Sequence, residues 1–250
     1  MPRYFLEVAY HGANYSGFQV QENTADTIQS QVERAFQTLE RRPVVLTGSS
    51  RTDAGVHALQ NYFHFDTEEP LHPQFVYKMN AILSGDIVLK RLVPVPAEAH
   101  CRFDAVYREY RYYVYREKNP FLVDRAYFYP YRLDLERMQE AAVLVKGVDD
   151  FTSFSKRNTQ VKDFRCRVME SEWLWEGSCW VYRVKANRFL RGMVRALVAT
   201  MLQVGRGSLG LGEFSVVVEA RDCTKASFNA PARGLFLVGV GFPENYFGMD

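Results

Sequence analysis

Tyr62-Phe63-His64-Phe65-Asp66 is the stretch that separates two architectures for this chain. Polar and apolar residues alternate along it, the period-two pattern of a strand with one face turned from the core. A doubly wound parallel sheet, covered on both faces by helices, writes its strands as continuous apolar runs instead. The alternation therefore predicts an antiparallel sheet. Upstream, Arg3 to Tyr10 reads as a strand with Tyr4, Leu6, Val8 and Tyr10 on one side. A turn-rich loop with Gly12, Asn14 and Gly17 follows, and Asp26 is expected to begin a helix, with Gln29 completing a capping box. Ile28, Val32, Ala35, Phe36 and Leu39 make that helix's apolar stripe. Strands are expected at Val44 to Thr47 and Asn61 to Asp66, a helix from Pro73 to Leu83, and a strand from Ile87 to Val93. The order β-α-β-β-α-β is the split ferredoxin-like arrangement.

The second half repeats this order with insertions. Ala105 to Tyr115 reads as a strand, and Asp134 caps a helix carrying Leu135, Met138, Ala142 and Val145. Arg167 to Trp175 and Cys179 to Ala186 form a hairpin around Gly177-Ser178. A long helix is expected from Asn187 to Gly205, another over Gly212 to Ala220, and a closing strand from Leu235 to Gly241. The predicted fold is α+β: two ferredoxin-like halves, 1–104 and 105–250, whose antiparallel sheets face one another across a central cleft.

The chain has 250 residues, enough for one large domain or two small ones. Its formal charge of +2 does not by itself argue for nucleic acid, so any basic surface must be local. Cys101, Cys166, Cys179 and Cys223 stand far apart, which speaks against a zinc ribbon and for reduced thiols. No signal peptide is visible and no apolar run reaches transmembrane length, so the protein is expected in the cytoplasm, away from membranes.

Chemistry concentrates in Ser49-Ser50-Arg51-Thr52-Asp53-Ala54-Gly55-Val56-His57-Ala58, a polar run between two expected strands. Gly55 suits a tight turn presenting Asp53, and Arg51 can keep that carboxylate ionised or grip a phosphate. On spacing alone, an ordinary surface turn with a capping Asp reads equally naturally. The strand Tyr107 to Arg116 interleaves tyrosines and arginines, which suits base stacking and phosphate contact; it also suits an ordinary strand with a solvated outer face. Arg188, Arg191 and Arg195 fall along one border of the expected long helix, calling for an external anion or serving as snorkelling cations. Ser153 to Lys162, continuing to Arg165 and Arg167, is a basic loop that fits phosphate contacts or a plain connector. The five histidines make no metal motif, and no Walker loop or dinucleotide fingerprint occurs, so neither metal nor cofactor is indicated. Ser49 and Ser50 lack the flanking glycines of a nucleophile elbow.

Five separated motifs, in order, resemble the TruA family of tRNA pseudouridine synthases. These are Tyr10-His11-Gly12 through Gly17-Phe18-Gln19-Val20-Gln21, then Arg51 to Ala58, then Tyr110-Arg111-Tyr112. Lys185 to Phe189 with Met193-Val194-Arg195 follows, and Gly234 to Leu237 closes the set. Ser50 departs from the pattern, standing where the family usually has glycine. The resemblance implies isomerisation of uridine to pseudouridine at positions 38 to 40 of the tRNA anticodon stem-loop, after base flipping, by a homodimer without cofactor. It implies Asp53 as the catalytic carboxylate, Arg195 as its partner, Tyr112 against the target uracil and Arg51 on the flipped nucleotide. Arg102, Lys156, Arg157 and Lys162 are further candidates for phosphate contact. Two other functions stay open on the residues: a non-catalytic RNA-binding module of two RRM-like halves, and a glycoside-cleaving hydrolase lacking an evident second acid.

Overall fold

A computed structural model describes residues 1–22, 24, 26–157 and 161–247. The chain is α+β and divides into two compact units, 1–106 with 237–250, and 107–236. In the first unit, β1 (Arg3–Tyr10) lies between β4 (Ile87–Val95) and β3 (His57–Asp66), antiparallel to both. The short β2 (Thr47–Gly48) pairs with β3, and β9 (Leu235–Gly241) lies beside β3 as well. Helices α1 (Ile28–Glu40) and α2 (Phe75–Ile82) cover one face of this sheet, where Phe36 meets the edges of Phe65 and Phe75.

The antiparallel expectation holds, but the reason for the alternation differs from a solvated face. Tyr62, Phe63, His64 and Phe65 are all buried. The polar side of β3 is covered by a C-terminal aromatic segment: Phe242, Tyr246 and Phe247 pack on Phe5, and two of them, Phe242 and Phe247, on Tyr62. Polar groups there are satisfied internally. The Tyr62 hydroxyl donates to Glu7 (3.0 Å), and the Arg91 guanidinium pairs with the same buried carboxylate (2.7 Å). Burial pushes the Tyr62 phenol up to about 12, Arg91 pulling against it and Glu7 adding to it.

Two boundaries move for identifiable reasons. The first helix starts at Ile28, not at Asp26, because Thr27 accepts from the Ser30 N–H (3.2 Å) and Ser30 returns the bond to the Thr27 N–H (3.1 Å). Gln29 instead reaches out of the helix to the Leu46 carbonyl (2.9 Å), while Glu33 accepts from the Leu46 N–H (3.2 Å). Those bonds occupy the Leu46 backbone, so the strand expected over Val44 to Thr47 shrinks to Thr47–Gly48.

In the second unit, β5 (Tyr107–Tyr115) pairs antiparallel with β8 (Cys179–Ala186), which pairs antiparallel with β7 (Val168–Glu176). The short β6 (Tyr127–Phe128) runs parallel to β5. Asp134 caps α3 (Leu135–Val145), its side chain accepting from the Arg137 N–H. Next come α4 (Met193–Arg206) and α5 (Leu211–Glu219). Among the described residues no helix is long and apolar enough to cross a membrane.

The long helix expected from Asn187 begins only at Met193. Gly192 holds φ 77°, a left-handed value that breaks helical continuity, and the Asn187 side chain accepts from the backbone of Arg167 and Arg188. Arg188 and Arg191 therefore precede the helix. The row they were expected to form with Arg195 does not exist.

Candidate active site

Asp53 is half-buried on a loop that is fastened from several directions. Its carbonyl accepts from the Val56 N–H (3.2 Å), closing a turn in which Gly55 takes φ 77°. The Thr52 carbonyl accepts from the Phe18 N–H (3.1 Å), and the buried Thr52 hydroxyl bonds the Tyr10 hydroxyl (2.8 Å). Asn61, fully buried on β3, donates to the Ser50 carbonyl (2.8 Å) and the Tyr10 oxygen (3.3 Å). At the far end, the Gly12 N–H donates to His57 Nδ1 (3.1 Å), which puts the proton of a neutral imidazole on Nε2. Gly12 is required by space: a Cβ there would stand 1.9 Å from the Val56 oxygen. A methyl on Gly48 would meet Phe18 at 2.3 Å, and Phe18 stacks on Phe63 at 4.6 Å. The 11–18 segment and the 49–57 segment thus brace one another through backbone bonds, side-chain bonds and ring packing together.

Arg51 is exposed and makes no ion pair among the described residues. Of its two expected roles, holding the Asp53 carboxylate or gripping a phosphate, the first has no ion pair behind it among the described residues. Ser50 is buried without a positive φ, so its backbone needs no glycine there.

In the second unit, Tyr112 and Arg195 converge on neighbouring carbonyls. The Tyr112 hydroxyl donates to the Pro231 oxygen (2.8 Å), and Arg195 Nε donates to the Ala230 oxygen (2.7 Å). Tyr112 has no exposed surface, and Gly234 sits where a Cβ would come 2.7 Å from its ring. Burial pushes the Tyr112 phenol strongly up, with Arg195 acting against it.

The other candidates scatter. Arg102 is exposed with its guanidinium 5.7 Å over the Phe103 ring. The Lys156 methylenes lie against Gly192, and its N–H donates to the Arg191 carbonyl (2.9 Å). Arg157 is exposed and shared between Cys223 Sγ (3.3 Å) and Asp222 (4.0 Å). Lys162 is exposed, and Asn158, Thr159 and Gln160 of the same loop lie outside the described residues. Arg111, in the tyrosine strand, pairs with Glu176 (3.0 Å) and Glu109 (3.5 Å), so for this guanidinium the ordinary strand reading prevails over phosphate contact.

One grouping escaped the sequence. His64, His100 and Cys101 bring their ligand atoms within 4.8 Å of one another in the first unit. Their internal bonds suit a thiol and neutral imidazoles. Cys101 Sγ donates to the Thr47 carbonyl (3.3 Å), and His64 Nδ1 lies 3.2 Å from that sulfur. The backbone of Arg102 donates to His100 Nδ1 (3.1 Å), leaving the ring proton on Nε2. Only the folded chain could reveal this group, since His64 is remote in sequence from His100 and Cys101.

The α+β chain thus carries a braced loop with a half-buried carboxylate and an exposed arginine. The family model described as tRNA pseudouridine synthase matches residues 7–104 and 141–243. A tRNA pseudouridine synthase A of Parabacteroides distasonis is 46% identical over 252 residues, spanning 100% of both chains. That of Porphyromonas gingivalis is 43% identical, covering 99% of this chain and 100% of its own. A Staphylococcus aureus (strain N315) protein of the same name is 39% identical over 246 residues, covering 97% of this chain and 92% of its own. The chain belongs to the tRNA pseudouridine synthase family. It is an isomerase acting on tRNA.

Proposed function

We propose that this protein isomerises uridine to pseudouridine at positions 38 to 40 of the tRNA anticodon stem-loop, with Asp53 as the catalytic carboxylate. The observation that carries the reading is the bracing of the Asp53 loop by Gly12, Tyr10, Phe18 and Asn61. Catalysis gains when a charged group is held in place before the substrate arrives. The bond from uracil N1 to C1′ breaks and one from C5 to C1′ forms; the C5 hydrogen leaves as a proton and N1 regains one. Atoms and electrons balance without an oxidant or reductant. Asp53 serves ionised in each of three routes: addition to the uracil, attack on C1′, or removal of a sugar proton.

The target base must leave its stack, because a paired nucleotide hides its glycosidic bond. Arg51, exposed and without an ion pair among the described residues, is suited to holding the flipped nucleotide. Arg195 is assigned to keeping the carboxylate ionised, and Tyr112 to the face of the uracil. The Tyr112 ring has no exposed surface, so contact with a base requires its cover to move. Arg102, Lys156 and Lys162 remain assigned to phosphates; Arg157, already shared with Asp222 and Cys223, is the weaker contributor. A homodimer would join such local patches into a longer basic track, which a chain of formal charge +2 needs. Two ferredoxin-like halves remain the proposed architecture; the order β4-β1-β3 with β2 beside β3 supports it for the first half. A tRNA substrate fits a cytoplasmic location.

The test is tritium release from tRNA labelled at C5 of uridine, comparing the parent with Asp53→Asn. C5 loses its hydrogen only if a new bond forms there. Release by the parent and none by the variant is the expected result. Release by both removes Asp53 from the chemistry, and release by neither with tRNA binding intact supports the RNA-binding module instead.

A further inference from the structure

Four buried tyrosines give their hydroxyls a partner: Tyr10 with Thr52, Tyr62 with Glu7, Tyr112 with Pro231, Tyr182 with Ser171. Tyr127 and Tyr129, half-buried, and Tyr131, exposed, are arranged differently. Their ring centroids succeed one another at 5.4 Å and 5.0 Å, and among the described residues none of their hydroxyls makes a hydrogen bond. A phenol that is half-buried by its ring and unbonded at its tip faces a wet surface. The three belong to a stretch lying between the two segments that the family model matches.

The run leads away from Tyr112. In the parallel pairing of β6 with β5, Tyr127 stands opposite Val114, so it shares the face of β5 that carries Tyr112. The Tyr112 phenol, raised first by burial, also feels Arg195, Tyr127 and Arg233, so these groups lie in one another's fields. At the outer end, the guanidinium of Arg206 lies 3.7 Å over the centroid of the Tyr131 ring. Arg206 is exposed, makes no ion pair among the described residues and is the last residue of α4, the helix that carries Arg195. A rise of 1.5 Å per residue sets the two arginines roughly 16 Å apart along that helix. The outer end is fastened: the Asp134 N–H donates to the Gly205 carbonyl (2.7 Å), and a Cβ on Gly205 would stand 2.4 Å from Met138.

An exposed guanidinium over an exposed ring, with no counter-ion among the described residues, offers a cationic surface with donors at its rim. Rings and guanidinium planes in series suit unpaired bases; a duplex keeps its bases stacked and shows only its backbone. We propose that Tyr127, Tyr129 and Tyr131, ended by Arg206, form a stacking track for the unpaired loop nucleotides of the tRNA next to the modified uridine. This rests on the tRNA reading above and extends it to a second contact surface.

The test measures binding of an anticodon-arm RNA hairpin with its loop bases intact or replaced by abasic sites. The proteins are the parent, Arg206→Gln, Arg206→Lys and Tyr131→Leu; both positions are exposed, and a thermal melt checks that each variant is folded. Each variant is expected to weaken binding of the intact hairpin by about tenfold, the order of one lost base–aromatic stack. Lysine keeps the charge but loses the plane, so it should not rescue. On the abasic hairpin, parent and variants should bind alike. Parent affinity retained by Arg206→Lys or by Tyr131→Leu overturns the track. So does an equal loss on both hairpins, which would mark a phosphate contact along the stem. C5 tritium release by the parent separates the two readings. The expected binding losses without release leave the track standing and remove the reading of positions 38 to 40; release with unweakened variants removes the track alone. A parent that does not bind the intact hairpin overturns both.

Discussion

A methyl group on Gly12 would stand 1.9 Å from the Val56 oxygen, and one on Gly48 2.3 Å from the Phe18 ring. These are requirements on single residues far in sequence from Asp53, yet they set where its loop lies. His64 shows the same economy in the polar interior. Burial, then the positive charges of His100 and Arg3, pull its imidazole down to about 4, so it is neutral in the folded protein at pH 7. The unfolded chain takes up a proton near 6.5 that the folded one refuses, so stability is full above about pH 6.5 and declines as the pH falls towards 4. The slope approaches about 1.4 kcal/mol per pH unit and levels off below the folded value. Urea unfolding midpoints of the parent and of His64→Gln, compared from pH 7 to pH 4.5, should diverge less as the pH drops. A gap that stays constant would mean that His64 titrates alike in both states.

At the scale of elements, α4 carries the most information. Gly192 at φ 77° both stops the incoming chain and sets the phase at which Arg195 leaves the helix. In Gly192→Ala the left-handed backbone costs about 1 to 2 kcal/mol. The new methyl also meets Lys156 at 3.0 Å, a flexible chain that can yield. Because the Arg195 bond to the Ala230 carbonyl depends on that phase, tritium release should fall further than the lost stability explains at a temperature where the variant stays folded. Unchanged release by a destabilised variant would separate helix start from arginine placement. The same element shows what the sequence could reveal. The helical spacing of Phe189, Leu190, Met193, Val194, Leu197, Val198 and Met201 is readable in the sequence, and all but Phe189 are buried. The start is not readable there, because the preceding Arg188-Phe189-Leu190-Arg191 continues the helical spacing and only the backbone at Gly192 interrupts it. Likewise β3 was legible as antiparallel, while the cover on its polar face was not. That cover arrives from Phe242, Tyr246 and Phe247, a contact without local signal. Asp53 and Arg51 were legible as a turn-borne pair. The bonds from Tyr10 and Asn61 that brace them link strands and required the register.

For the whole chain, the consequential fact is that its last residues belong to its first unit, which comprises 1–106 and 237–250. A fragment ending at residue 106 keeps β1 to β4 and both helices, and so carries a complete β-α-β-β-α-β order. It loses β9 beside β3 and the cover over Phe5 and Tyr62. It also loses the Val240 N–H that Gln60 accepts (3.1 Å) and the Tyr246 hydroxyl bonded to Asp104. Exposing such aromatic surface costs about 25 cal/mol per Å², and an open strand edge invites pairing with other chains. A small domain stable by only about 5 to 15 kcal/mol cannot absorb that loss. Fragment 1–106 expressed alone should therefore be aggregated or unfolded by circular dichroism and gel filtration. The same fragment with 237–250 joined through a flexible Gly/Ser linker should melt cooperatively as a monomer. A cooperative melt of 1–106 without the C-terminal residues would show that the helix-covered face suffices, and would reduce the aromatic segment to a decoration of an already stable sheet.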